Sequence, residues 1–150
     1  MNEERLIRAL QRIHGFRPYE ADADVAPDGS GTLLVSSDSF SAAEDFLAGL
    51  APIDMGRLMA YGACTDLLAC GARPEMMTQV WTCSPDGQIE FYEQVAEGVQ
   101  EVLSHYGAKV IGGDVATASD WSWNATVMGY AGRRVRRVAS ARVDFDLYVS

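Results

Sequence analysis

No stretch of this sequence approaches the roughly 18 consecutive apolar residues that a transmembrane helix needs, so a helical membrane span is excluded. The opening Met1-Asn2-Glu3-Glu4-Arg5 lacks the basic start and apolar core of a signal peptide, and the cytoplasm is the expected compartment. Cysteine is scarce. Cys64, Cys70 and Cys83 are an odd number with no Cys-x-x-Cys spacing, which argues against a disulfide framework or a zinc site and for buried free thiols. Positive charge is also short: 12 Lys and Arg stand against 21 Asp and Glu, a net charge of −9. A phosphate backbone would be repelled, so nucleic acid is not an expected partner. There is no Gly-x-x-x-x-Gly-Lys-Ser/Thr phosphate loop. A calcium loop starting at Asp22-x-Asp24 fails because Pro27 stands where the invariant glycine is needed and Leu33 where the bidentate glutamate is needed.

What is present is a chain of 150 residues, 48% of them hydrophobic, enough for one domain with a real core. Residues 3 to 14 read as an amphipathic helix through Leu6, Ile7, Leu10 and Ile13. Residues 16 to 31, with Pro18, Pro27, Gly29 and Gly31, read as a loop or mobile arm. Leu33-Leu34-Val35 starts a strand that runs out into Ser36-Ser37-Asp38-Ser39-Phe40. Asp54 is the expected N-cap of a helix ended by Gly71. Gly62 in its middle costs about 1 kcal/mol against Ala, which points to tight packing or a close ligand. Met76 to Cys83 reads as a strand, and Ser84-Pro85 as the cap and first residue of the next helix. That helix carries Phe91, Tyr92, Val95, Val99, Val102 and Leu103 on one face and closes at Gly107. Lys109 to Ile111 is a strand ending at Gly112-Gly113-Asp114. Residues 121 to 131 alternate, with Trp121, Trp123, Ala125 and Val127 on one face. Arg142 to Val149 alternates again up to Ser150. Helices between strands imply crossover units, and the final strands an antiparallel addition. The expected fold class is α/β (α+β), a two-layer mixed sheet with helices on one face. The abrupt end suggests a domain cut from a longer chain or a single-domain relative of one.

Three aspartates carry the chemistry. Asp38 and Asp114 are expected just after strands, where open α/β sheets hold ligands. Asp66 sits among small and apolar residues of a helix, and a buried carboxylate is costly unless paired or metal-bound. A surface position, or a salt bridge to Arg57 or Arg73, accounts for Asp66 equally well. Magnesium takes oxygen ligands, commonly one or two carboxylates with substrate phosphates, and three convergent aspartates would match a magnesium–triphosphate site.

Ser37-Asp38-Ser39-Phe40, Thr65-Asp66-Leu67 through Gly71-Ala72-Arg73-Pro74, and Ile111-Gly112-Gly113-Asp114 occur in that order. Together they make the chain resemble the N-terminal, ATP-binding domain of the aminoimidazole-ribonucleotide-synthetase-like superfamily. Thiamine-monophosphate kinase, selenophosphate synthetase and the hydrogenase-maturation dehydratase belong to that group. The resemblance covers roughly residues 20 to 132. It implies a single domain over 1–150, with residues 1–31 as an N-terminal helix and arm, and without the family's second domain. It implies a homodimer whose sheets form a barrel, with ATP near the interface and a small-molecule substrate. It puts Asp38, Asp66 and Asp114, with Asp22 from the acidic N-terminal loop, as ligands of Mg2+. It puts Ser39, Thr65, Gly112 and Gly113 at the nucleotide phosphates.

The chain departs from the family pattern in places. Thr65 stands where Asn is frequent, and Val115 follows Gly-Gly-Asp where Thr is frequent. The catalytic cysteine or selenocysteine and lysine of selenophosphate synthetases have no match, nor has the C-terminal cysteine of the hydrogenase dehydratase. The expected function is a Mg-ATP-binding domain of an enzyme that activates a small molecule by phosphoryl transfer. The alternative is a non-catalytic dimerisation or regulatory module that keeps the fold. The cluster Arg133, Arg134, Arg136 and Arg137 reads as a solvated turn face.

Overall fold

The computed structural model describes residues 3–14, 23–26, 32–46, 48–132 and 135. In chain order the elements are α1 (Glu3–His14), β1 (Asp24–Val25), β2 (Leu33–Ser41), α2 (Pro52–Ala69), β3 (Ala72–Cys83), α3 (Ile89–Tyr106), β4 (Lys109–Thr117) and β5 (Ser122–Ala131). The strands form one mixed sheet in the order β1-β2-β5-β3-β4. β5 runs antiparallel to both β2 and β3, while β3 and β4 are parallel and joined through α3. The two-layer α+β expectation holds.

The alternation of β5 places Trp123, Ala125 and Val127 in the core, each at most 3% exposed. They meet Met59, Ala63 and Leu67 of α2 and Val95, Val99 and Val102 of α3 in one buried cluster. The two helices cross backbone to backbone. A methyl at Gly56 would overlap the Val95 carbonyl, and one at Gly98 would overlap the Ile53 carbonyl. Arg57 ties the same crossing at the surface, pairing with Asp54 at 2.6 Å and Glu101 at 2.7 Å. Arg73 donates through Nε to the Tyr106 carbonyl at 2.9 Å, satisfying a group at the C-terminal end of α3.

Several expected boundaries move. Ala51 rather than Asp54 is the N-cap of α2, with Pro52 inside its first turn and Asp54 turned to Arg57. Ser84-Pro85 does not open α3, whose N-cap is Gln88. Instead the Ser84 carbonyl accepts from the Gly87 N–H in a turn, and the Ser84 N–H donates to the Tyr92 hydroxyl. β3 begins at Ala72, because Gly71 at φ +82° reverses the chain immediately after the helix. The loop expected before Leu33 contains the short strand β1, paired with Val35 and Leu34. The alternation at 142–149 and the arginine cluster at 133, 134, 136 and 137 lie outside the described residues. No helix among the described residues is long and apolar enough to cross a membrane.

Candidate functional site

Both strand-end aspartates are inside strands. Asp38 lies within β2, paired with Ala125, because the Ser-rich run continues to pair with β5 as far as Ser41. Asp114 lies within β4, paired with Val80. Gly112-Gly113 does not turn the chain, since neither glycine has a positive φ. Gly113 is required for another reason: a side chain there would overlap the Gln79 carbonyl. A register shift between Met77 and Thr78 absorbs the extra residue Ile111 on β4.

Side chains alternate along a strand, so Ser36, Asp38 and Phe40 leave β2 on one face. That face meets α2. The Ser36 hydroxyl donates to Asp66 Oδ2 at 2.6 Å, and a methyl built at Gly62 would lie 2.7 Å from Phe40 Cζ and 3.8 Å from Asp38 Oδ2. Asp38 and Asp66 are therefore brought together where β2 faces α2. Burial holds the Asp38 carboxyl above the usual carboxylate range. The Ser39 backbone N–H, donating to Asp38 Oδ1 at 2.9 Å, opposes that rise, and the charges of Asp66 and Asp45 add to it. Arg57 and Arg73, the alternative partners for Asp66, are engaged elsewhere.

Asp114 is not part of this group. The register carries Asp38 across Ala125 and Gln79 to Gly113, so Asp114 falls in the next row with Ser39, Asn124 and Val80, on the opposite face. Three strand spacings, roughly 14 Å, also separate β2 from β4. Among the described residues no three His, Cys, Asp or Glu side chains form a metal-holding group. Asp22 lies outside the described residues. The Thr65 hydroxyl donates to the Gly62 carbonyl at 2.7 Å on the exposed side of α2, and Ser39 is exposed on the far face of the sheet. Gly112 has open space where a side chain would be.

The sheet face away from the helices is polar. Ser37, Ser39, Thr78, Asn124 and Thr126, together with Asp38, Val80 and Ala125 of the same strands, line a shallow hollow of about 210 Å³, with the Ser37 and Thr126 hydroxyls 2.8 Å apart. A larger hollow of about 610 Å³ lies between α3 and β4. It holds neither Asp38 nor Asp66. The site follows the carboxylates. Ser36, which sequence reasoning missed, has no local signal: its partner is 30 residues away. The donor set of Asp38, Asp66 and the Ser36 hydroxyl is all oxygen. That suits a hard cation completed by water and phosphate oxygens.

The chain matches the model of the AIR synthase related protein, N-terminal domain, over residues 20–131. It is 28% identical over 147 residues to thiamine-monophosphate kinase of Archaeoglobus fulgidus, covering 95% of this chain and 47% of that enzyme. With the Synechococcus elongatus enzyme it shares 29% over 149 residues, covering 95% of this chain and 45% of that enzyme. The chain thus spans about half the length of these relatives. Among solved structures, AaThiL complexed with AMPPCP and TMP superposes with TM-score 0.84 at 19% identity, over 93% of this chain and 45% of that one. Hydrogenase maturation protein HypE in complex with ATP superposes with TM-score 0.59 at 24% identity, over 86% of this chain and 40% of that one. At these identities the structures speak for the fold, and the family rests on the sequence match: the chain belongs to the AIR synthase related proteins, with their N-terminal domain at residues 20–131.

Proposed function

We propose that this domain binds a magnesium–nucleotide complex and serves an ATP-dependent enzyme that transfers a phosphoryl group to, or through, a small molecule. The observation that carries the reading is the meeting of Asp38 and Asp66 between β2 and α2, with Ser36 holding one carboxylate. The relatives named thiamine-monophosphate kinase, and neighbours solved with AMPPCP and with ATP, support the nucleotide. Magnesium bound there would offset the negative charge of the phosphates, leaving positioning and electrostatics as the protein's contribution. Asp38 and Asp66 are its proposed ligands within one chain, and Asp22 is a further proposed ligand.

Asp114 joins such a site only if a second copy presents it, which accords with the proposed homodimer. β4 supports that assembly: among the described residues it is an edge strand with one neighbour, and Ile111 and Val115 are 56% and 70% exposed. Gly112 and Gly113 on the same strand leave backbone open to approach by phosphate. Ser39 and Thr65 are kept as proposed phosphate contacts of the assembled protein.

Calorimetric titration of ATP with and without Mg2+ tests the reading. Binding that requires Mg2+ and is lost in Asp38→Asn and Asp66→Asn is expected. A folded protein that binds ATP in neither condition would count decisively against it. A second reading, a module that keeps the fold without turnover, is favoured by Thr65 and Val115, which stand where Asn and Thr are frequent in the family. Magnesium-dependent nucleotide binding with no ATP consumption, in this chain and in any longer product of its gene, would select that reading.

A further inference from the structure

Gly62 lies inside α2, where glycine carries a cost of about 1 kcal/mol against alanine, and the structure shows what occupies the space it vacates. The Phe40 ring enters against the α2 backbone so closely that a methyl at 62 would stand 2.7 Å from its Cζ and 3.4 Å from its Cε1. On its other side Phe40 packs on the fully buried Trp123, ring centroids 6.0 Å apart. An added methyl would turn the half-buried ring or press it toward Trp123. The same added methyl would lie 3.8 Å from Asp38 Oδ2. Gly62 thus borders the carboxylate as well as the ring. Asp38 and Phe40 are two residues apart on one face of β2, so the ring and the carboxylate share one strand segment.

We propose that Gly62 is a positioning residue for the Asp38–Asp66 pair: its missing side chain seats Phe40 against α2 and so sets the place of the strand segment that carries the Asp38 carboxylate. The proposal rests on the reading that the pair holds magnesium.

The test uses the whole chain and Mn2+ alone, counted as free ion by electron paramagnetic resonance, with thermal melting of metal-free protein as the fold control. Gly62→Ala is expected to weaken Mn2+ binding by about tenfold, the lower end of what residues behind a metal's ligands cost. The double variant Gly62→Ala with Phe40→Leu, which removes the end of the ring that the methyl strikes, is expected to recover to within about threefold of wild type. A merely structural role would lower the melting temperature of Gly62→Ala and leave Mn2+ affinity where it was, and that result overturns the proposal. So does a loss that the double variant fails to recover. Should Gly62→Ala not fold, Phe40→Ala decides: it removes the ring from the other side, and unchanged Mn2+ affinity overturns the proposal while a several-fold loss supports it. Asp38→Asn separates the two levels. If it binds Mn2+ as wild type does, the site reading falls and takes the proposal with it; if it alone abolishes binding and Gly62→Ala does not, only the proposal falls.

Discussion

The Ser36 hydroxyl donates to Asp66 Oδ2 at 2.6 Å, joining the middle of β2 to the last turns of α2 across 30 residues of sequence. A hydrogen bond to an ionised group is worth about 1.5–3 kcal/mol when both partners are shielded, and less when water reaches them. Here both are half-buried. Ser36→Ala should therefore destabilise the chain by about 1 kcal/mol in urea melts, and Ser36→Thr, which keeps the hydroxyl on a β-branched residue suited to a strand, by less. Equal losses in the two variants would mean that packing, not the hydroxyl, accounts for the effect.

A second prediction turns on sign. In an isolated helix Gly98→Ala should stabilise by about 1 kcal/mol. In this fold the added methyl meets the Ile53 carbonyl of α2, so the helices must separate. Overpacking of a core costs roughly 1–3 kcal/mol, so the variant should be less stable than wild type, and Gly56→Ala should behave alike against Val95. A stabilised Gly98→Ala would show that the crossing is looser than described.

These contacts mark where the sequence could and could not be read. The apolar face of α3 and the alternation of β5 were legible because burial alone sets those patterns: Val95, Val99 and Val102, and Trp123, Ala125 and Val127, all reach the core. Asp38 and Asp114 were placed after strands because Ser-rich and Gly-Gly runs are locally turn-like. Pairing with β5 and with β3 extends both strands past them, and that is a non-local fact. The same holds for Ser36, whose partner is on another element, and for Gly56 and Gly98, whose meaning is a backbone on the facing helix. The sequence leads one to expect three convergent aspartates, and the fold brings Asp38 and Asp66 to one face. The opposite-face position of Asp114 was not legible, since motif order carries no information about which face of a strand a residue takes.

The third prediction concerns Asp38. Burial raises its proton affinity in the folded state, with the charges of Asp66 and Asp45 adding to the rise and the Ser39 N–H opposing it. A carboxyl whose folded pKa lies above its unfolded value favours the fold while protonated. That contribution is fully present below the ordinary aspartate range and is lost as pH rises through the folded pKa. Asp38→Asn removes the cost of ionisation, and its side-chain oxygen can still accept from Ser39. In metal-free buffer the variant should melt above wild type at pH 7, with the difference shrinking toward zero near pH 3. Added Mg2+ should raise the wild-type melting temperature and leave that of the variant unchanged. A variant less stable than wild type at pH 7 would mean that the Asp38 carboxylate is a net stabiliser.

The three thiols give the last prediction. Cys64 is fully buried and its thiol is pushed up to about 11 by desolvation, while Cys70 is 1% exposed and accepts from the Ala23 N–H at 3.3 Å through its sulfur. At pH 8 the Cys64 thiol is roughly one part in a thousand thiolate, and the thiolate is the nucleophile. Cys83 ends β3 and is only partly buried. Iodoacetamide on the native protein should therefore modify Cys83 first, with Cys64 and Cys70 following only as fast as the fold opens. Peptide mass mapping over a time course reads the order. Urea should bring the three rates together, because unfolding returns each thiol to the same water. Early modification of Cys64 would place α2 in a locally opened state on the reagent's timescale, and would mean that the wall behind Asp66 is less firmly packed than its burial implies.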